Sequence, residues 1–450
     1  MRERIRDFFL AWAPSALVVF VLRKSVLATK YQQQRESSVF FNRANVAYGL
    51  RKRFQLRQHT LTALRLLGDD FGGPYSRFIL MAVLETFETP SARQRLSGEV
   101  IEATRALGIE SSDATGWYQL SRGLCAFGFL RAAWYARENS LDLSIQEGKR
   151  LGASITQCQR AIEASIERKD LESAIHLVDT CRDQLSNIYL NDLKSLFSLV
   201  NWRLISVGSN SDDPENFELF KSLVGSKTVA LIGPGSPSGD FGAQIDCMES
   251  VIRIKFLGRE YSADTRKHGT RCDATYFGNT ELEAIEKNFS DFEFRETFGA
   301  VKIFLSFNSK LTIRGIPVFN MATSGLTYRT PAYAGIRTLY SVLKALPAKL
   351  SVFGFDFYAG EHPYSLETRK FLADRASDLG HSGFDISALR ELRSFYRVRD
   401  LFVHDAVSNF CFAQNIYQAG LFEIEPVGKS ILELTPYQYV ERLEKMLGDW

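Results

Sequence analysis

The chain has 450 residues, enough for two or three domains that each bury a core. With 45% apolar and 24% charged residues it is ordinary for a globular protein, and no basic stripe interleaved with aromatics runs along it, which argues against nucleic acid as a partner. The formal net charge of +3 hides an asymmetry: residues 1–60 carry twelve Lys/Arg against three Asp/Glu, so the remainder is mildly acidic.

The stretch "FFLAWAPSALVVFVL" (8–22) is apolar, with Arg2, Arg4 and Arg6 before it and Arg23 and Lys24 after it. It is short for a span of about 20 residues, Pro14 interrupts it, and no small-residue cleavage site stands out. Residues 1–30 therefore read as a basic, apolar, membrane-proximal segment: an interfacial helix, a marginal anchor, or a buried first helix. The basic start on an acidic body points to an anionic surface. The six cysteines (125, 158, 181, 247, 272, 411) are scattered without metal spacing, as reduced thiols of a cytosol-like compartment are. The 34 phenylalanines read first as core.

Residues 31–205 form the second region, with a helical texture from 57 onward. "GFLRAAWYARENSLD" (128–142) and "KDLESAIHLVDTCRD" (169–183) resemble each other, Leu130 matching Leu171 and Ala133 matching Ala174. Such pairs of helices stack in repeat proteins, so the region is predicted to be all-α and helical-repeat-like, in the manner of TPR arrays, with an irregular bundle as the plain alternative. Either is a protein-partner or positioning module. Residues 206–222, rich in Ser, Gly, Asn, Asp and Pro, read as a linker.

From 223 to 450 short apolar runs alternate with helical stretches. Strands are predicted at Val229–Ile232, Val251–Ile254, Thr275–Phe277, Ile303–Phe307, Leu350–Phe355 and Leu401–Val403, and helices near 331–346, 386–396, 406–418 and 436–446. Thr435 followed by Pro436 is a start signal for the last helix. This alternation predicts an α/β fold, a Rossmann-like, doubly wound and mostly parallel sheet with ligands at the carboxyl ends of its strands. The glycine-rich turn "GPGSPSG" (233–239) follows the first strand, where backbone N–H groups can approach a phosphate. A dinucleotide site is disfavoured: Ser238 stands where GxGxxG has its third glycine, and the second strand ends in Lys255 instead of an acid.

Four further stretches are "HGTRCDATYFGN" (268–279), "ATSG" (322–325), "VFGFDFYAGEHPYS" (352–365) and "GHSGFDISALRELRSFY" (380–396). In this order, after the glycine-rich loop, the set resembles the bacterial CMP-sialic-acid-dependent sialyltransferases over roughly residues 228–405. "QIDCMESVIRI" also looks like the large sialylmotif of the animal enzymes. The resemblance implies a GT-A-like sialyltransferase variant of the fold over 223–450. It implies His381 as general base, Tyr358 and Tyr364 on the departing phosphate, and Thr323, Ser324 and Gly325 on the nucleotide. Gly233 and Gly235 would lie under the cytidine and phosphate, with Ser236, Lys255 and Asn279 as further donor contacts. His404, in "FVHDAVSNF", is the alternative base; the animal enzymes carry His-x4-Glu there, and this chain has Asn409 in place of the Glu. The plainer readings are a capping or surface role for His381, loop packing for the tyrosines, and capping of the next helix by Asp405.

Where the family has Asn between the loop glycines this chain has Pro234; where it has Asn ending the second strand, Lys255; where it has Arg before the Thr-Ser-Gly, Met321. The donor expected from the resemblance is a CMP-linked acidic keto-sugar, sialic acid or Kdo, and the other substrate a glycan acceptor of surface polysaccharide, lipopolysaccharide or capsule synthesis at the cytoplasmic face of the inner membrane. Two phenol O–H groups stabilise negative charge growing on a phosphate without a metal, and the chain has no Asp-x-Asp motif, so neither a metal nor another cofactor is expected. A scaffold with a degenerate nucleotide site is the non-enzymatic alternative.

Overall fold

The computed structural model describes residues 78, 79, 81, 82, 85, 92–107, 113–200, 214–256, 258, 264–307, 312–321, 327–360 and 405–447. The chain divides into two units, Met1–Gln55 and Leu56–Trp450, and every described residue belongs to the second. The segment 1–30, the strand expected at 401–403 and the helix expected at 386–396 lie outside the described residues.

The helical half has α1 (Ala92–Ala106), α2 (Ala114–Ala126), α3 (Leu130–Gly148), α4 (Ile155–Glu167), α5 (Leu171–Cys181) and α6 (Asn187–Leu199). Their starts are written in short polar caps: the side chains of Asp113, Ser154, Asp170 and Ser186 each accept an N–H of the first turn, satisfying donors that have no partner inside the helix. The helices pack neighbour on neighbour, α2 on α3, α3 on α4 and α4 on α5. A Cβ on Gly148 would lie 2.3 Å from that of Ala161, so α3 and α4 cross where neither carries bulk.

Next come α7 (Pro214–Val224) and strands β1 (Thr228–Ile232), β2 (Ser250–Ile254), β3 (Ala274–Tyr276), β4 (Ile303–Ser306), β5 (Thr312–Ile313), β6 (Ile316–Asn320), β7 (Lys349–Phe353) and β8 (Glu423–Ile424). They form one sheet in the order β5-β6-β4-β3-β2-β1-β7-β8, parallel throughout except for β5 on β6. The chain runs outward from β1 to β6, then returns to the other flank of β1 for β7 and β8. The strand order therefore reverses beside β1, as in a doubly wound sheet.

Both faces of the sheet are covered, so its central strands are apolar on both sides. Val229, Leu231, Ile252, Ile254, Leu350 and Val352 face a core shared with α7, with α12 (Ala334–Lys344) and with α13 (Ala406–Gln418). Ala230, Ile232, Val251 and Phe353 face Ile245 of the short α8 (Gly242–Asp246). Toward β6, α10 (Asn279–Asn288) and α11 (Asp291–Phe298) cover that second face through Leu282, Ile285, Phe294 and Phe298. The remaining helices are α9 (Thr265–His268), α14 (Pro426–Leu432) and α15 (Pro436–Met446), the last opened by a reciprocal Thr435–Gln438 capping box.

Two expectations change. The linker predicted at 206–222 contains most of α7, whose Phe220 stacks on Phe319 of β6 at 5.1 Å, so from Pro214 onward the chain is a helix that belongs to the sheet. The helical half also does not stand apart from the sheet: its first helices bury a core of their own around Trp117, Leu120, Phe127 and Phe129, but the largest apolar cluster runs unbroken from Leu130, Ile162 and Leu193 to Val229 and Leu339.

Charges hold this seam as well. Arg137 of α3 donates through Nε and Nη2 to Glu167 of α4, at 2.5 and 2.8 Å, and through Nη1 to Asp405 at 2.8 Å, with all three side chains buried. Ser408 Oγ donates to Glu167, and the Tyr328 hydroxyl lies 2.7 and 2.8 Å from those of Ser140 and Ser144. Nearby, Glu163 accepts the backbone N–H of Arg329 at 3.0 Å. Burial, opposed by that N–H and by the guanidiniums of Arg329 and Arg160, pushes its carboxyl from 4.5 up to about 7. The folded state thus holds this proton more tightly than the unfolded chain. Its contribution to stability is full below pH 4.5 and is lost as pH rises through 7. Glu163→Gln keeps the acceptor oxygen and removes the ionisation. Its urea midpoint should match wild type near pH 4 and exceed it above pH 7; midpoints that run parallel across this range would contradict the assignment.

Candidate functional site

The carboxyl ends of β1 and β7 meet where the strand order reverses. The glycine-rich turn leaves β1 and the "GFDFYAG" segment (354–360) leaves β7, so two motif segments distant in sequence become neighbours. Gly233 N–H donates to Phe353 O at 2.7 Å and Gly235 N–H to Gly354 O at 3.1 Å. A Cβ at Gly233 would fall 2.3 Å from the Gly354 carbonyl oxygen, and one at Gly235 2.7 Å from it. Gly354 itself has φ +67°. These glycines lock two loops backbone to backbone. The next donors are engaged too: Ser238 N–H and Oγ–H both bond Glu425, at 2.6 and 2.9 Å, and Gly354 N–H bonds the other oxygen of the same buried carboxylate. A carboxylate thus takes the turn's hydrogen bonds where a phosphate is expected.

That geometry makes a prediction. Gly233→Ala must displace a carbonyl of the neighbouring loop, which no side-chain rotation relieves, and should cost about 1–3 kcal/mol in urea denaturation without any ligand present. Unchanged stability together with a lost nucleotide response would return the glycine to a ligand role.

The other predicted residues are distributed along the same edge. Ser236 is exposed on the first turn. Lys255 follows β2 with φ +57°, and its Nζ lies 2.7 Å from Glu281, whose other oxygen accepts Gly278 N–H. The cation expected to face a donor sugar is therefore paired with a buried acid. Asn279 opens α10, and its side-chain oxygen accepts Ser306 Oγ–H at 2.7 Å, joining the ends of β3 and β4. Met321 is buried beneath this edge. Thr323, Ser324, Gly325, Tyr364, His381 and His404 lie outside the described residues.

Tyr358 follows Phe357, and both adopt left-handed backbone conformations (φ +63° and +48°). That costs an L-residue about 1–2 kcal/mol each and is held in place by its surroundings. Here Asp356 accepts the Tyr358 N–H at 3.0 Å, and the buried Tyr439 hydroxyl donates to Phe357 O. The Tyr358 ring meets that of Tyr333 edge-on, centroids 5.6 Å apart. Tyr333, at the start of α12, donates its N–H to Asn409 Oδ1. Burial, and then Asp356, push its phenol well above the usual range, so it stays a hydrogen-bond donor. Tyr333, Asp356, Glu281 and Glu425 are the groups of this edge that sequence reasoning missed. Asp405 caps α13 by accepting Ser408 N–H, as its plain reading has it.

All six cysteines are free. Among the described residues no three His, Cys, Asp or Glu side chains are grouped to hold a metal ion, and no helix is long and apolar enough to cross a membrane. Compared with protein-family models, with curated proteins and with solved structures, the chain finds no match.

Proposed function

We propose that the chain is an inverting glycosyltransferase that moves sialic acid, or a related acidic keto-sugar, from CMP to a glycan acceptor. The observation that supports it most is the meeting of the first glycine-rich loop and the "DFY" segment at the reversal of strand order, where doubly wound sheets bind their ligands. The acceptor hydroxyl oxygen attacks the anomeric carbon, and the carbon–oxygen bond to the phosphate breaks with its electron pair leaving on CMP. By resemblance, His381 takes the acceptor proton and the hydroxyls of Tyr358 and Tyr364 donate to the phosphate as charge grows there. The sheet would be the sialyltransferase variant of GT-A-like folds. The basic apolar start would keep the enzyme beside lipid-linked acceptors of bacterial surface polysaccharide at the cytoplasmic face of the inner membrane, and the helical half would orient it or bind a protein partner.

The experiment is a donor screen with purified protein. CMP-sialic acid and CMP-Kdo are each supplied with candidate acceptors and CMP release is measured, with and without chelator. CMP release from one of them, undiminished by chelator, is the expected result. A Kdo-only response would move the assignment to a Kdo transferase on the same scaffold. One observation favours a second, non-catalytic reading: the first turn spends Gly233, Gly235 and Ser238 inside the protein, and Glu425 would repel a phosphate brought to it. A scaffold of that kind releases no CMP, and its melting temperature does not rise with CMP.

A further inference from the structure

A second charged locus lies at the seam between the helical half and the loop that follows β6. Arg160 of α4 and Arg329 of that loop both point Nη1 at one atom, Thr115 Oγ1 on α2, at 3.4 and 3.3 Å. Two guanidiniums are thereby brought together with no acid among the described residues in direct ion-pair contact with either. Among the described residues neither has a carboxylate within 4.0 Å, and the acids nearby are engaged with backbone: Glu163 accepts Arg329 N–H and Glu147 accepts Ala114 N–H. Nε and Nη2 of Arg329 are buried with no hydrogen-bond partner. Its guanidinium carbon lies 5.2 Å from the Tyr118 ring centroid and 5.3 Å from that of Tyr328. Ring faces hold the plane of such a cation and leave its N–H edge to a ligand. Arg329 is itself a left-handed residue (φ +54°), pinned by the Glu163 bond. Burial, and then Arg329, make the charged form of Arg160 harder to hold. Thr115, Arg160 and Arg329 are all half-buried, so a ligand can reach them from solvent.

We infer that Arg160 and Arg329, gathered on Thr115, bind an oxyanion, a carboxylate or phosphate group carried by a ligand of this protein. Each Nη1 has two N–H groups and Thr115 takes one from each, which leaves a second from each arginine. An anion at this point makes the direct contact that Glu163 and Glu147, turned to backbone N–H groups, do not make, and accepts from both arginines, the charge-assisted arrangement in which arginine binds carboxylate and phosphate most strongly. The locus does not depend on glycosyl transfer at the β1–β7 edge. It serves any ligand whose acidic group projects toward the helical half.

Arg160→Gln is the variant of choice, because Arg329 packs on two rings and its loss endangers the fold. Wild type and variant are titrated calorimetrically with inorganic phosphate and with glucuronate, against sodium chloride at equal ionic strength and with glucose as the neutral control. We expect saturable binding of at least one anion by wild type and an affinity about tenfold or more weaker in Arg160→Gln, with the apo melting temperature nearly unchanged. Phosphate alone binding assigns a phosphate ester; glucuronate alone binding assigns an acidic sugar or other carboxylate. No binding of either anion beyond the chloride control, or equal binding by wild type and Arg160→Gln, overturns the site. Each of these outcomes holds whether or not CMP is released in the donor screen.

Discussion

Arg137→Met should destabilise the protein by about 3–5 kcal/mol at pH 7–8, the usual cost of removing one partner from a buried ion pair. Glu167 and Asp405 are each within 2.8 Å of the guanidinium, and both are buried. After substitution Glu167 keeps the Ser408 hydroxyl, while Asp405 keeps Ser408 N–H and Arg122 at 3.6 Å. Neither set matches a bidentate guanidinium. Burial would raise the Asp405 carboxyl, but Arg137 and then Arg122 outweigh it and hold the carboxyl below its ordinary value. A depressed acid contributes stability above its unfolded value of 3.8 and loses it as pH falls through the folded one. The deficit of Arg137→Met should therefore be largest at neutral pH and shrink toward pH 4, where protonation discharges the stranded acids. Adding Glu167→Gln should recover part of it. A deficit below about 1 kcal/mol at pH 7, or one independent of pH, would show that the network is solvated and only marginally stabilising.

The central strands were legible because, end residues aside, β1 and β4 are apolar runs and β2 and β7 are apolar but for Arg253 and Ser351, as a sheet covered on both faces demands. The starts of α13 and α15 were legible because Asp405 and Thr435 are local caps. β6 was not, because Pro317 interrupts it; it pairs with the two-residue β5, where a proline is tolerated opposite Thr312 near the sheet's edge. The two-residue β8 carries no period at all. The site was legible as a set of segments and not as a geometry. Glycine at 233 and 235 has the same spelling whether an anion or another backbone must come close. The discriminating partner, Gly354, follows a different strand, β7, and the carboxylate that takes Ser238 lies beyond β8. Arg137, Glu167 and Asp405, or Arg160 and Arg329, come together only through tertiary packing, which no periodicity reports.

The same tertiary packing couples the helical half to the candidate edge. Arg137 ties α3 and α4 to the residue that caps α13, and α13 supplies Asn409, which holds Tyr333 N–H beside Tyr358. The helices are thus one or two contacts from that edge and share its core, so they cannot be removed as an independent module. Truncation before residue 205 would strand Glu167's partner on α13 and expose the face of α12 that α6 covers, where the Tyr340 hydroxyl donates to Asp192 O.

If His381 is the general base of the proposed transfer, His381→Ala should lower turnover by about 10²–10⁴-fold while leaving CMP binding nearly intact, because such a base acts on the acceptor and not on the nucleotide. Tyr358→Phe tests the other half of the reaction. It deletes a hydroxyl and keeps the ring that packs on Tyr333, so the left-handed turn and the stability should persist. If that hydroxyl donates to the departing phosphate, it does so most strongly as charge develops. The loss should then fall on kcat, by about 10²-fold, with little change in KM. An unchanged kcat in Tyr358→Phe removes it from the reaction and leaves the strained turn a packing feature. Turnover that survives His381→Ala and vanishes in His404→Ala moves the base to the residue beside the α13 cap. That outcome would draw the Arg137–Asp405 network into the chemistry, since Asp405 immediately follows His404 in the sequence and its carboxylate is held by Arg137.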